Sequence, residues 1–164
     1  MAGLLDPTTL VRDAHALLSA FVDPATLSRR DAMTRALQPR PEDYARVFTP
    51  EMADIARVGY GTLWQGSPQL IGKAGQIHVL VSQVVAAEFA VKTPGTQAFP
   101  GGYAEIAKYL LPDRPWFAWK FVVPGERSGM AYDGLVHLDD RFIWLPKPWK
   151  ILLKGPSPMG HYAN

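Results

Sequence analysis

The sequence predicts an α+β domain in which N-terminal helices pack on a curved antiparallel sheet formed mainly by the C-terminal half. Apolar residues follow helical spacing over residues 1–64 and alternate as in strands over residues 116–145. A length of 164 residues with 48% hydrophobic content suits one domain with a buried core. We therefore expect a single domain over residues 1–164. Residues 1–64 would be mainly helical, 75–153 mainly sheet with one short helix, and 155–164 a flexible tail.

Four helical segments are predicted before residue 65, and the start of each has its own local signal. Asp6 and Pro7 place an N-cap before a proline at the first helical position, where the missing N–H costs nothing. Ser28 begins the second segment, and Asp31 follows three residues later, where a capping box would place an acidic residue. Pro41 and Pro50, each followed by acidic residues, begin the third and fourth segments.

The middle of the chain allows two interpretations. The valine-rich stretch 76–91 fits two strands and also fits a helix, and we favour strands because Val and Ile are stiff at χ1. The stretch 93–102 is a loop by composition, and its glycines with Phe99 suit a lid with an apolar plug. A short helix is expected over 103–111, ending before Pro112.

The last third has the clearest strand pattern. Strands are predicted over 116–123, 130–138 and 141–145, with a turn at Pro124-Gly125 and a tight hairpin at Asp139-Asp140. Strict alternation along the second of these strands places Asp133, Leu135 and His137 on one face and Tyr132 on the other.

Composition excludes several classes of function. The chain has no cysteine, so disulfides, zinc–thiolate sites and thiol nucleophiles are ruled out, in keeping with a cytoplasmic protein. The longest uncharged run, residues 74–87, is shorter than the roughly 20 residues that a membrane span needs. A net charge of +2 is too small to imply nucleic acid by itself, and nucleic acid is not the expected partner.

Asp133 and His78 are the candidate catalytic residues. A carboxyl group on a strand inside an apolar pocket can act as a general base, because desolvation raises its pKa towards neutrality. Tyr132 and Asp133 could share one pocket only if a bulge interrupted the strand. Asp133 could instead bond a neighbouring backbone group, face solvent, or bind a ligand without chemistry.

Five aromatic residues are the candidate ligand-binding set, because they fall on the predicted sheet or on the loop beside it. They are Trp119, Phe117, Phe121, Tyr132 and Phe99. An apolar pocket between helices and sheet, lined by these rings, would take a small apolar or aromatic molecule.

No metal or cofactor is expected. His137 and Asp139 have the spacing of an iron facial triad, for which His78 would be the distant ligand, but Asp is common in hairpin turns for backbone reasons. Phosphate-binding glycine motifs are absent, and Ser128 stands one place too late for a nucleophile elbow.

The segment 141–154 combines aromatic and basic residues, and Trp144, Lys147 and Trp149 form a candidate partner surface. Three interpretations fit: a surface for a protein partner, a stacking platform for single-stranded nucleic acid, or a terminal strand whose tryptophans cover the core.

The order of helices followed by antiparallel strands, over roughly residues 41–153, resembles that of nuclear-transport-factor-2-like proteins, which form an α+β cone. No diagnostic motif accompanies the resemblance, and the additional N-terminal helices depart from it. The resemblance implies a sheet that encloses a pocket, and the superfamily includes enzymes, binding proteins and assembly modules.

The leading functional hypothesis is therefore binding of a small apolar or aromatic molecule. One alternative is a protein-interaction module of inhibitor or immunity type that uses the Trp-rich edge. The other is a cofactor-free isomerase or dehydratase that uses the same pocket. A homodimer is compatible with each.

Overall fold

The computed structural model describes residues 6–154 and confirms the α+β class. Six α-helices are described: α1 Pro7–Ser19, α2 Arg30–Arg35, α3 Pro50–Gln65, α4 Glu88–Val91, α5 Gly102–Glu105 and α6 Pro148–Lys154. Short 3-10 helices cover Leu27–Arg29, Pro41–Arg46, Pro94–Ala98 and Ala107–Tyr109. Four strands form one open sheet: β1 His78–Val85, β2 Pro115–Val122, β3 Gly129–Leu138 and β4 Arg141–Trp144. The predicted tail, 155–164, lies outside the described residues.

The four helical segments predicted before residue 65 are confirmed. Pro7, Pro41 and Pro50 each stand at the start of a helix, where proline supplies a suitable φ and needs no hydrogen bond. Burial along α1 recurs at Leu10, Ala14 and Leu18, so one stripe of this helix faces the core.

Two predictions for the second half are wrong in part. The stretch 76–91 contains one strand, β1, followed by the helical turn α4 rather than by a second strand. The Glu88 carboxylate accepts a hydrogen bond from the Val85 N–H at 2.8 Å, which ends the strand and begins the turn. The region 75–153 also holds more than one helix, because Pro148 begins α6.

The sheet is an antiparallel meander in the order β1-β2-β3-β4. The turn at Pro124-Gly125 and the hairpin at Asp139-Asp140 are both present. Asp139 adopts φ 53°, a left-handed conformation that Asp tolerates better than most residues.

A β-bulge at Gly134 overturns the predicted distribution of side chains along β3. Ala118 lies opposite Asp133, whereas Phe117 lies opposite Leu135, so Gly134 is the additional residue. Gly134 has φ +93°, which a residue with a side chain rarely adopts. Beyond the bulge the alternation is inverted, and Leu135 therefore shares the face of Tyr132 rather than that of Asp133.

Helices cover both faces of the sheet. The α1 face carries Phe117, Trp119 and Tyr132; α1 packs against β1, and Asp13 of α1 lies near His137 on this face. The α5 face carries Trp116, Ala118 and Asp133, and Phe89 of α4 and Tyr103 of α5 pack on the Trp116 ring. The predicted packing of helices on an antiparallel sheet is thus confirmed.

Candidate functional site

Two open clefts lie beside the first half of β3. Cleft 1 has a volume of about 550 Å³ and lies on the α1 side, where Leu63, Ile71, Met130, Tyr132 and Trp144 form its largely apolar wall. Its size is within the range of small-molecule pockets.

Cleft 2 is larger, about 960 Å³, and lies on the α5 side of the sheet. Its floor includes the small residues Ser82, Ala118 and Ala131. The loop 97–100 and the β2–β3 turn, 125–128, form its walls. Because the floor side chains are short, the groove reaches down to the surface of the sheet.

The two clefts share four lining residues: Ala131, Tyr132, Asp133 and Lys147. Three of these are consecutive in β3, so this part of the strand separates one cleft from the other. Any molecule bound along this edge of β3 would therefore contact both clefts.

The edge itself is unpaired. β4 pairs only with Leu135–Leu138, and among residues 6–154 no strand or isolated bridge pairs with Gly129–Tyr132 on the side away from β2. β4 is too short to cover it, because Leu145 follows directly and its N–H bonds to the Gly134 carbonyl at 2.7 Å.

The backbone groups of Ala131 point towards this free edge. The Asp133 carbonyl accepts a hydrogen bond from Trp144 Nε1, on the β4 side, at 2.9 Å. Alternate residues of a strand direct their N–H and C=O groups to the same side, so Ala131 and Gly129 also point away from β2. A donor and an acceptor at Ala131 are thus available to an added strand.

Asp133 lies at the end of this edge, and two hydrogen bonds hold its carboxylate in place. Its Oδ1 atom accepts hydrogen bonds from the Tyr103 hydroxyl at 2.6 Å and from the Lys147 backbone N–H at 3.0 Å. Burial raises the pKa of Asp133, although these two hydrogen bonds and the nearby Lys150 oppose the rise. Burial also lowers the pKa of Lys147 and raises that of Tyr103 well above its ordinary value.

Tyr132 fixes the opposite wall of cleft 1. Its hydroxyl accepts a hydrogen bond from the Ile71 N–H at 3.2 Å and donates one to the Ile71 carbonyl at 2.9 Å. Its ring stacks on Trp119 at 5.6 Å between centroids. The wall formed by 68–71 is therefore held at a fixed distance from β3.

Cleft 2 carries more positive than negative charge near the edge. Lys120, Arg127 and Lys147 line it, against Glu126 and the buried Asp133. Lys120 lies directly opposite Ala131 in the β2–β3 register. An acidic group would find complementary charge here.

Three of the five predicted aromatic ligand residues, Trp119, Tyr132 and Phe99, line cleft 2, whereas the other two lie in the core. Phe117 and Phe121 are fully buried, and neither lines cleft 1 or cleft 2. Trp119 is 2% exposed beneath Tyr132, and Phe99 packs against Phe89 and Tyr103. Tyr132 is the member of the set that lies at both clefts.

The candidate catalytic residues do not meet. Asp133 and His78 both line cleft 2, but His78 is exposed. Asp133 lies opposite Ala118, which lies opposite Ser82, and Ser82 is four residues along β1 from His78. Four strand residues correspond to about 13 Å, too far for direct proton exchange between them.

The predicted partner surface is only partly at the surface. Trp144 is 4% exposed and packs edge-on against Trp64, as in the core interpretation of this segment. Trp149 is half-buried on α6, where its ring contacts Tyr103. Lys147 is the member that borders both clefts.

Sequence reasoning did not find the free edge of β3. The signal that points to it is Gly134, since a glycine inside a strand pattern often indicates a bulge. The second signal is the pair Pro146 and Pro148, which come soon after β4 and limit it to four residues.

Among the described residues, no group of three or more acidic or histidine side chains is arranged to hold a metal ion. Within 6–154, every helix is too short or too polar to cross a bilayer. Comparisons with protein-family models, curated proteins and solved structures found no match. The resemblance to nuclear-transport-factor-2-like proteins therefore stays a prediction.

Proposed function

We propose that this protein is an interaction module that binds a short extended segment of a partner protein as an added strand on β3. The observation that carries the proposal is the unpaired edge at Gly129–Tyr132, flanked on its two faces by clefts that share its residues. Main-chain hydrogen bonds supply affinity in strand addition, while pockets for alternate side chains supply specificity.

The arrangement of the two clefts supports this mode of binding. Successive side chains of an added strand point to opposite faces, so they would enter cleft 1 and cleft 2 in turn. Both clefts are open, which suits a bound peptide segment whose chain continues beyond the site at both ends. The edge is also short, as expected of an edge that resists indiscriminate aggregation.

A displayed library of random nine-residue peptides provides the probe, and enriched sequences would be synthesised and titrated by NMR. We expect the amides of Gly129 and Ala131 to shift and to become protected from hydrogen exchange on binding. Failure to enrich any peptide, or shifts confined to other strands, would contradict the proposal.

The matched variants are Ala131→Pro and Ala131→Val. Proline removes the outward N–H without removing a bond to β2, so the fold should persist while peptide binding is lost. Valine keeps the N–H and should retain binding. If Ala131→Pro folds and binds the peptides as tightly as the unaltered protein, strand addition is wrong.

A further inference from the structure

We infer, on the basis of the proposed function, that the added strand carries an acidic residue between two apolar residues, with the acidic side chain facing Lys120. This pattern follows from which side chains of β3 border each cleft and from the charge of cleft 2.

The faces of the bound residues are fixed by those of β3. Met130 and Tyr132 direct their side chains to the α1 face and to cleft 1, whereas Ala131 lies on the α5 face in cleft 2. Residues directly opposite in neighbouring strands share a face. The residues opposite Met130 and Tyr132 would therefore enter the apolar cleft, and the residue between them would enter cleft 2.

The middle residue of the added strand would lie opposite Ala131, on the side away from Lys120. These three residues would then form one row across the sheet. Lys120 is opposite Ala131 on β2, and adjacent strands are about 4.8 Å apart, so the new residue would be about 10 Å from the Lys120 backbone. Ala131 contributes only a methyl group to that row. A long lysine side chain can thus extend over Ala131 to a carboxylate on the added strand.

Lys120 is available for such a contact. Its side chain is exposed, and its described hydrogen bond is one of 3.5 Å to the Arg127 carbonyl. Arg127 and Lys147 lie at the two ends of the same edge and add positive potential, which Glu126 only partly offsets. Acidic residues are therefore favoured over basic residues at this position.

The bulge limits the length of the added strand. The carbonyl groups of Asp133 and Gly134 already accept hydrogen bonds from Trp144 and Leu145. Pairing must therefore end before Asp133. The recognised segment would be about four residues long, opposite Gly129–Tyr132.

A charge-swap titration tests the inference. The probes are three synthetic nine-residue peptides with the central sequences Val-Glu-Val, Val-Gln-Val and Val-Lys-Val, titrated by NMR at low salt. The unaltered protein should bind the Glu peptide about tenfold more tightly than the Lys peptide. Lys120→Glu should reverse that order, and added salt should reduce the preference.

Arg12→Glu is the matched control, since it makes the same charge change on an exposed residue of α1. It should leave the order of the three peptides unchanged. If the three peptides bind equally and Lys120→Glu changes nothing, the acidic preference is wrong while strand addition stands. If neither these peptides nor any library peptide binds at the β3 edge, the proposed function fails and the inference fails with it.

Discussion

Gly134 determines the arrangement of β3 more than any other single residue. It supplies the extra residue of the bulge, and a Cβ atom there would lie 2.3 Å from the Leu145 carbonyl oxygen. Gly134 thereby lets the chain after β4 approach β3 closely. The same contact ends β4 pairing and leaves the edge of β3 open.

We predict that Gly134→Ala lowers the free energy of unfolding by about 2–4 kcal/mol, because strain at a positive φ adds to a clash with backbone. Gly125→Ala is the control, since Gly125 has φ +88° but a Cβ there would contact nothing within 4 Å. It should cost only about 1 kcal/mol. Urea unfolding measures both, and equal losses would show that the close approach to Leu145 is unimportant.

The residues at which the helices begin were easier to predict than the face of the sheet to which each strand side chain points. Pro7, Pro41 and Pro50 act locally, through a fixed φ and a missing N–H, so the helices could be placed from sequence. The bulge at Gly134 depends on a contact with Leu145, eleven residues later, which no local pattern contains. Tyr132 was predicted to line a ligand pocket, and its position at the free edge of β3 was not foreseeable from the sequence.

The contact between α5 and α6 depends on the absence of a side chain at Gly102. A Cβ there would lie 2.2 Å from Cδ2 of the Trp149 ring, which is too rigid to move without shifting α6. We predict that Gly102→Ala costs about 1–3 kcal/mol and moves Trp149 into a wetter environment.

Gly101→Ala is the control for that prediction, because a Cβ there meets nothing within 4 Å. Urea unfolding and the tryptophan emission maximum are the measurements. A red shift is expected for Gly102→Ala alone; matching spectra and stabilities for the two variants would contradict the role of Trp149.

Across the whole molecule, ion pairs connect the helical half to the last hairpin of the sheet. Asp43 in the 3-10 helix Pro41–Arg46 accepts hydrogen bonds from the Arg40 N–H at 2.7 Å and from Arg141 of β4. Asp139, between β3 and β4, pairs with Arg46 and with Arg114. The fold therefore depends on carboxylates that remain charged.

Asp43 should make the free energy of unfolding depend on pH in the acidic range. Its burial favours a raised pKa, but the hydrogen bonds from Arg141 and Arg40 outweigh that effect and lower the pKa below its ordinary value of 3.8. A lowered folded-state pKa contributes stability above pH 3.8 that is lost as the pH falls further. We predict that Asp43→Asn costs about 1–3 kcal/mol at pH 7 and that the deficit shrinks towards pH 3.

Asp54→Asn is the control for Asp43, since Asp54 is 92% exposed and forms only a surface pair with Arg57. It should change stability little at any pH. Urea midpoints at pH 7, 5 and 3 measure the effect. A deficit for Asp43→Asn that stays constant over this range would disprove the linkage.

The bulge also determines which deletions and insertions of residues β3 can accept. Loss of Gly134 itself would remove the bulge and leave Leu135 opposite Phe117, with every later side chain on its present face. Loss of one residue after Gly134, with the bulge kept, would instead exchange the inward and outward side chains of every later position in the strand. A second, compensating loss or gain would be needed to restore the core. Length variants of this protein should therefore differ in turns, in termini or at the bulge itself, while the residue count on each side of Gly134 in β3 stays constant.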